Sequence, residues 1–148
     1  MAITQAVANS FKVEILKGLH NFTATTGNVF KLALYDSEAT LSASTTAYAT
    51  SDEVGASGTY AAGGGALTNV TPSLSGSTAI VDFADKSYTS ATISAQAAVI
   101  YNSSTVTGLT TNAAVCVLDF GGVKSSSAGT FTITFPAAEA TAAILRIA

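Results

Sequence analysis

The sequence contains few charged residues: they make up 10% of its 148 residues, against about 25% in an ordinary soluble domain. The basic residues stand singly along the chain, at Lys12, Lys17, Lys31, Lys86, Lys124 and Arg146. Binding a phosphate backbone requires clustered cations, so we expect no nucleic-acid partner. A surface with few charges loses little hydration when it packs against another surface. The composition therefore fits a subunit of an assembly, with an alanine-rich free domain as the alternative.

Cysteine and histidine each occur once, which limits the chemistry available to the chain. Cys116 cannot form a disulfide within the chain, and its apolar surroundings are typical of a strand core. His20 has no GxSxG motif to accompany it, and we interpret it as a dipole partner of a helix end or a surface residue. One Cys and one His cannot make a structural zinc site. We therefore expect no enzyme, no metal and no cofactor.

The acidic and glycine-rich positions also have simple structural interpretations. Asp82 and Asp85 are expected to fix a turn at a strand end. Asp52–Glu53 lacks the spacing of a calcium loop. Gly63–Gly65 lacks the Lys-Ser or Lys-Thr ending of a phosphate loop, and we expect it to give the backbone freedom at a bend. The sequence therefore predicts no small-molecule substrate.

Long apolar runs are missing as well. Lys12, Glu14 and Lys17 interrupt the first twenty or so residues, which therefore do not resemble a signal peptide. No segment approaches the roughly 18 apolar residues that a membrane span requires. We expect a protein that is made in the cytoplasm and has no membrane partner.

One helix is predicted, over about residues 4–17. Thr4 can cap its start, and Gly18 can end it, because glycine accepts the left-handed conformation common just past a helix. Apolar residues recur about every four positions on one face, at Val7, Phe11 and Ile15, with Leu16 and Leu19 beside them. This stripe must be buried, because so short a helix is marginal in water by itself.

After the helix the apolar period changes from four to two, which is typical of strands. The strand candidates are 28–35, 79–83, 88–93, 95–101, 113–120, 130–135 and 143–147. Turn residues separate them, including Gly121–Gly122 and Ala128–Gly129, and no helices alternate with them. We therefore predict a mainly β fold, an antiparallel β-sandwich or small barrel with one N-terminal α-helix. The length fits one domain, residues 1–148.

Residues 36–65 have weak periodicity and end in three glycines. A segment of this length without regular structure is uncommon in a compact domain unless it binds or reorders. We interpret it as an irregular contact arm, which includes a short helix around Ser44–Ala49; an ordinary surface loop is the alternative. Tyr48 and Tyr60 are its candidate contacts, because tyrosine offers a large contact area at low entropy cost.

Several short motifs occur in an order that resembles small structural proteins of tailed-bacteriophage virions. They are SFKVEILKGLHNF, FKLALY, STTAY, DEVGASGTYAAGGGALTNV, LSGSTAIVDFAD, AAVIYNSS and VLDFGG, and together they span nearly the whole chain. The resemblance implies a virion component and carries no catalytic or metal residues. It does not decide between a capsid decoration (cement) protein, a head fibre and a tail part.

From these features we expect a capsid decoration protein that binds the major capsid protein and other copies of itself, with a trimer as our guess. The candidate interface residues are Phe11, Ile15 and Leu19 of the helix, Tyr48 and Tyr60 of the arm, and Ile144 and Ile147 of the last strand. That strand is expected to add to the sheet edge of a neighbour. For every one of these residues, packing in the chain's own core is the alternative.

Two further functions stay open at this level. One is a tail or head-fibre component, which the sequence does not distinguish from a decoration protein. The other is a glycan-binding adhesion module, which is disfavoured because sugar-binding surfaces depend on exposed aromatic residues and the chain has no Trp and only five Tyr.

Overall fold

The computed structural model describes residues 2–148 as a mainly β protein, in agreement with the prediction. Strands hold 48% of the residues and helix 5%. The strands are β1 (Ala6–Val7), β2 (Phe30–Tyr35), β3 (Gly65–Ala66), β4 (Asn69–Ser75), β5 (Thr78–Phe83), β6 (Lys86–Asn102), β7 (Ala113–Ile133) and β8 (Leu145–Ile147), and the helix is α1 (Asn9–Leu16). They form two antiparallel sheets, with orders β1-β7-β6-β2-β3 and β4-β5-β8, which is consistent with a β-sandwich.

The helix is shorter than predicted, because the chain before it is extended. The backbone N–H of Thr4 donates to the carbonyl oxygen of Leu41, and β1 pairs with β7. Ala8 is the N-cap residue and supplies no side-chain cap, so the prediction of a Thr4 cap was wrong. The expected end is correct: Gly18 follows the helix with a φ of +70°.

The two longest strands, β6 and β7, form a hairpin, and each unites two strands that were predicted separately. Asp119 lies opposite Ala97 and Lys124 lies opposite Ala95. The residues Phe120–Val123 therefore face the single residue Gln96, and they form a wide bulge within β7. The glycine pair in this bulge was interpreted as a turn because turns and bulges both use residues with positive φ.

The smaller sheet contains a strand that the sequence did not predict. β4 is an edge strand, and most of its side chains are exposed, so it lacks the alternation that marks a half-buried strand. Pro72 lies at an irregularity in its pairing with β5, between Val70 and Ser73. Proline is tolerated at such a place because it has no N–H to contribute to the ladder.

The core is continuous between the two sheets and is built on phenylalanine. The rings of Phe22 and Phe30 stack with centroids 4.3 Å apart. Phe83 of the smaller sheet lies 5.9 Å from Phe30 of the larger sheet and 5.7 Å from Phe135. These offset and tilted contacts are the geometries that aromatic pairs prefer. They fix how the two sheets pack on each other.

Residues 36–65 are mostly irregular but are tied to the rest of the chain at several points. Isolated bridges join Leu41 to Ile3, Ala47 to Ala113 and Glu53 to Tyr35. The short helix expected around Ser44–Ala49 does not form: bends and turns occupy 42–44 instead. We call residues 36–65 the strap, because they run over one side of the larger sheet and are pinned there.

Tyrosine hydroxyls make many of the attachments of the strap. All five tyrosines of the chain donate a hydrogen bond, from Tyr35 to Ala49 O, Tyr48 to Glu53 Oε2, Tyr60 to Glu53 Oε1, Tyr88 to Leu32 O and Tyr101 to Gly63 O. Their lengths lie between 2.6 and 2.8 Å. Burial raises the pKa of Tyr88 and Tyr101 to about 12, so these hydroxyls stay protonated and able to donate.

The strap ends in a bend that requires glycine. Gly64 has a φ of +76°, and a Cβ placed there would collide with the backbone carbonyl group of Leu32. An L-residue is therefore excluded twice, by backbone conformation and by space. This bend brings β3 into line with β2, where Gly65 pairs with Leu32.

We predict that Gly64→Ala destabilises the protein strongly, by about 3 kcal/mol or more, because conformational strain adds to the steric collision. Gly76→Ala is the matched control: its φ is also positive, at +63°, but nothing lies within 4 Å of the added Cβ. The control should lose only about 1–2 kcal/mol. Urea denaturation of both variants measures the difference, and equal losses would contradict the collision.

Candidate assembly surface

The structure separates the predicted interface residues into two groups. Phe11 and Tyr60 lie in the chain's own core, with exposed fractions of 6% and 1%, so the alternative of core packing holds for both. The other predicted residues reach the surface in part or fully: Ile15, Leu19, Tyr48 and Ile144 are half-buried, and Ile147 is 65% exposed. These five remain candidates for contact with a partner.

Helix α1 carries its exposed apolar residues on the side away from Phe11. Leu16 is 89% exposed and Val13 is 54% exposed. Residues three apart are neighbours on a helix surface, so these two side chains form one patch. The sequence analysis placed Leu16 in the buried stripe. The signal against that placement is that Phe11, Val13, Ile15 and Leu16 are more apolar residues than one face of a two-turn helix can bury.

The smaller sheet carries a second apolar patch, across all three of its strands. Leu74 of β4 lies opposite Ala79 of β5, and Ala79 lies opposite Ile147 of β8. Residues in register point to the same face of a sheet, so the three form one row. Leu74 is 72% exposed and Ile147 is 65% exposed.

The last strand does not wait unpaired for a neighbour. β8 pairs with β5 of its own chain over Ala79 to Val81, which satisfies one of its edges. It is nevertheless an edge strand, because the order of the smaller sheet ends at β8. The expected addition to a neighbour's sheet therefore remains a prediction, and it could involve only the outer edge of β8.

His20 is not a surface residue: it is buried where α1 meets the larger sheet. Asn102 donates from its side-chain nitrogen to Nδ1 of His20 over 3.1 Å, and its side-chain oxygen accepts from the N–H of Ser104. Because Nδ1 accepts, Nε2 carries the proton and donates to Glu14 Oε1, also over 3.1 Å. The ring packs against Phe11 at 4.8 Å. His20 therefore holds the helix to the sheet.

Other potentially reactive groups are similarly enclosed. Cys116 is buried in β7, and burial raises the pKa of its thiol to about 12, so it is not a reactive thiolate. Among residues 2–148, no group of three or more side chains of the metal-ligating types converges. None of the helices within that range is both long enough and apolar enough to cross a membrane.

No family model, curated protein or solved structure matches the chain. The functional argument therefore depends on the surface described above and on the motifs of the sequence.

We predict that His20 makes the stability depend on pH. Burial lowers the pKa of His20 below its usual 6.5, although the hydrogen bond and the charge of Glu14 act in the opposite direction. The unfolded chain then binds the proton more readily, so stability is full above about pH 6.5 and falls as the pH drops towards the lower folded-state pKa.

The measurement is the free energy of unfolding by urea at pH 7.5 and at pH 5.5. His20 is the only histidine of the chain, so His20→Gln should remove most of the difference between the two values. A variant that retains the full pH dependence would show that another group causes it.

Proposed function

We propose that the protein is a capsid decoration (cement) protein of a tailed bacteriophage, which binds neighbouring capsid subunits and so stabilises the head. The observation that carries the proposal is the exposure of aliphatic side chains on regular elements, above all Leu16 on α1 and the pair Leu74 and Ile147 on the smaller sheet. These side chains project from helix and strand positions that the core holds in place.

Burial of such side chains supplies the binding energy. Removing a leucine or isoleucine side chain from water stabilises an interface by about 1.5–3 kcal/mol. The chain has only 15 residues of charge-bearing type, six basic and nine acidic, so little charge has to be desolvated when these surfaces are covered. A protein that binds only the expanded shell stabilises that state by mass action.

The kind of exposed residue favours protein partners. Within residues 2–148, the large exposed hydrophobic side chains are Val, Leu and Ile, which pack against other protein surfaces. The tyrosines, which could have stacked on sugar rings, are engaged in the attachments of the strap. The resemblance to virion structural proteins supports the same conclusion, with the major capsid protein and other copies of the chain, in the expected trimer, as partners.

The first test is the copy number of the protein in purified virions, measured by quantitative mass spectrometry against the major capsid protein. We expect a ratio near one, because a decoration protein repeats with the shell. A ratio of a few per cent would instead assign the protein to the tail or to a head fibre. Absence from the particles would refute the virion function.

We further predict that Leu16→Gln lowers the affinity of the protein for capsids by about tenfold, since that factor corresponds to about 1.4 kcal/mol of lost burial. Its stability should change by no more than about 0.5 kcal/mol, because the side chain is exposed. Co-sedimentation with heads assembled without the protein measures the affinity.

Two variants complete that experiment. Lys12→Gln, on the same helix and also exposed, is the matched control and should bind as the unmodified protein does. Phe11→Asp should unfold the protein, since it places a charge in the core. Unchanged binding of Leu16→Gln would exclude the outer face of α1 from the capsid contact.

A further inference from the structure

A groove of about 850 Å³ runs along the outer side of β7. One wall is β7 together with Thr134–Pro136, and the other includes Ala142–Ile144 and Arg146, near the end of the chain. Consecutive residues line it, from Cys116 to Phe120 and from Phe131 to Pro136. Because successive side chains of a strand point to opposite faces, a groove lined by consecutive residues follows the backbone edge of the strand.

The edge along this groove is largely unpaired within residues 2–148. β7 is bonded to β6 along its inner side, but on its outer side β1 pairs only with Cys116 and Val117. Each second residue of such an edge presents an N–H and a C=O group outwards. Another extended backbone is the ligand that satisfies these groups in regular order.

The chain itself shows this mode of pairing at the start of the groove. Beyond the two residues of β1, the side chain of Gln5 takes over the role of a strand: its Oε1 accepts the outward N–H of Asp119 over 3.1 Å. The remaining edge, from the bulge onwards, is continuous with this short existing ladder.

The shape of the edge selects a short strand over a second sheet. The bulge Phe120–Val123 and the exposed Lys124 interrupt the edge, and such features prevent long flat edges from pairing with each other. Beyond them, up to Ile133, remains room for a segment of about five or six residues, the usual length of a strand.

The charges of the groove indicate the chemistry of its occupant. Lys124 and Arg146, two of the six basic residues, line it. Neither forms an ion pair among residues 2–148, whose one acid–base contact joins His20 and Glu14. The carboxylate of Asp119, also in the lining, accepts the N–H of Gly121 at 2.9 Å. The groove is thus more basic than the chain, whose net charge is -3.

We propose that this groove binds an extended segment of a neighbouring shell protein, which adds a strand to the outer edge of β7 and places a carboxylate side chain near Lys124 and Arg146. The inference rests on the proposed function, since the partner is a component of the shell. It assigns to the β7 edge a contact separate from that of Leu16.

The test uses the full-length protein, alone and bound to heads assembled without it, and measures amide hydrogen exchange with residue resolution. Bound protein should show slower exchange at roughly every second residue between Lys124 and Ile133, the pattern of a newly paired strand edge. The double variant Lys124→Gln/Arg146→Gln should bind about tenfold more weakly. Its matched control, Lys31→Gln/Lys86→Gln, removes the same charge outside the groove.

The outcomes separate this inference from the proposed function. Protein that binds the heads with unchanged exchange along β7 would overturn the strand addition and leave the decoration function standing. Slower exchange with full binding by the Lys124→Gln/Arg146→Gln variant would overturn the acidic character of the segment. Failure of the unmodified protein to bind the heads would overturn both the inference and the function.

Discussion

The hydrogen bonds around Glu53 are the interaction on which the rest of this structure depends. Its carboxylate accepts from the hydroxyls of Tyr48 and Tyr60 and from the N–H of Gly63, at 2.6 to 2.8 Å. The hydroxyl of Tyr60 in turn accepts the N–H of Leu34. One side chain thus joins the two ends of the strap to the central part of β2. Because an unpaired buried polar group is costly, each of these bonds constrains the others.

This network explains how a long irregular segment packs on a charge-poor protein. The strap has little helix or strand to satisfy its backbone, and it uses tyrosine hydroxyls and one carboxylate in their place. The aromatic rings supply burial at the same time, as in the stack of Tyr48 on Tyr101, whose centroids are 4.9 Å apart. The side chains that carry polarity are therefore turned inwards, and the outer surface is left with hydroxyls, few charges and isolated aliphatic residues. Such a surface is suited to being covered by other proteins.

The fold class was predictable because it depends on local patterns. The alternation in Thr130–Phe135 reports a strand with one buried face, and the structure buries Phe131, Ile133 and Phe135 while leaving the threonines exposed. The start of α1 was not predictable, since Thr4 is extended only because Leu41 lies beside it, and that contact joins distant parts of the chain. The union of the predicted strands in β6 and β7 was missed for a related reason. A glycine pair suits a turn and a bulge equally, and only pairing with the partner strand decides between them.

The sequence by itself determined the class of fold, the scarcity of charge and the limits on cysteine and histidine chemistry, because composition and short-range periodicity require no knowledge of distant contacts. Only the tertiary structure decided which apolar residues face outwards. Periodicity identifies the residues that share a face of an element, but exposure depends on what packs against that face. Phe11 meets His20 and Phe22, so it is buried, whereas Leu16, one turn and a half further along the same helix, meets nothing in its own chain that covers it. The open edge of β7 was decided in the same way, by a first strand only two residues long.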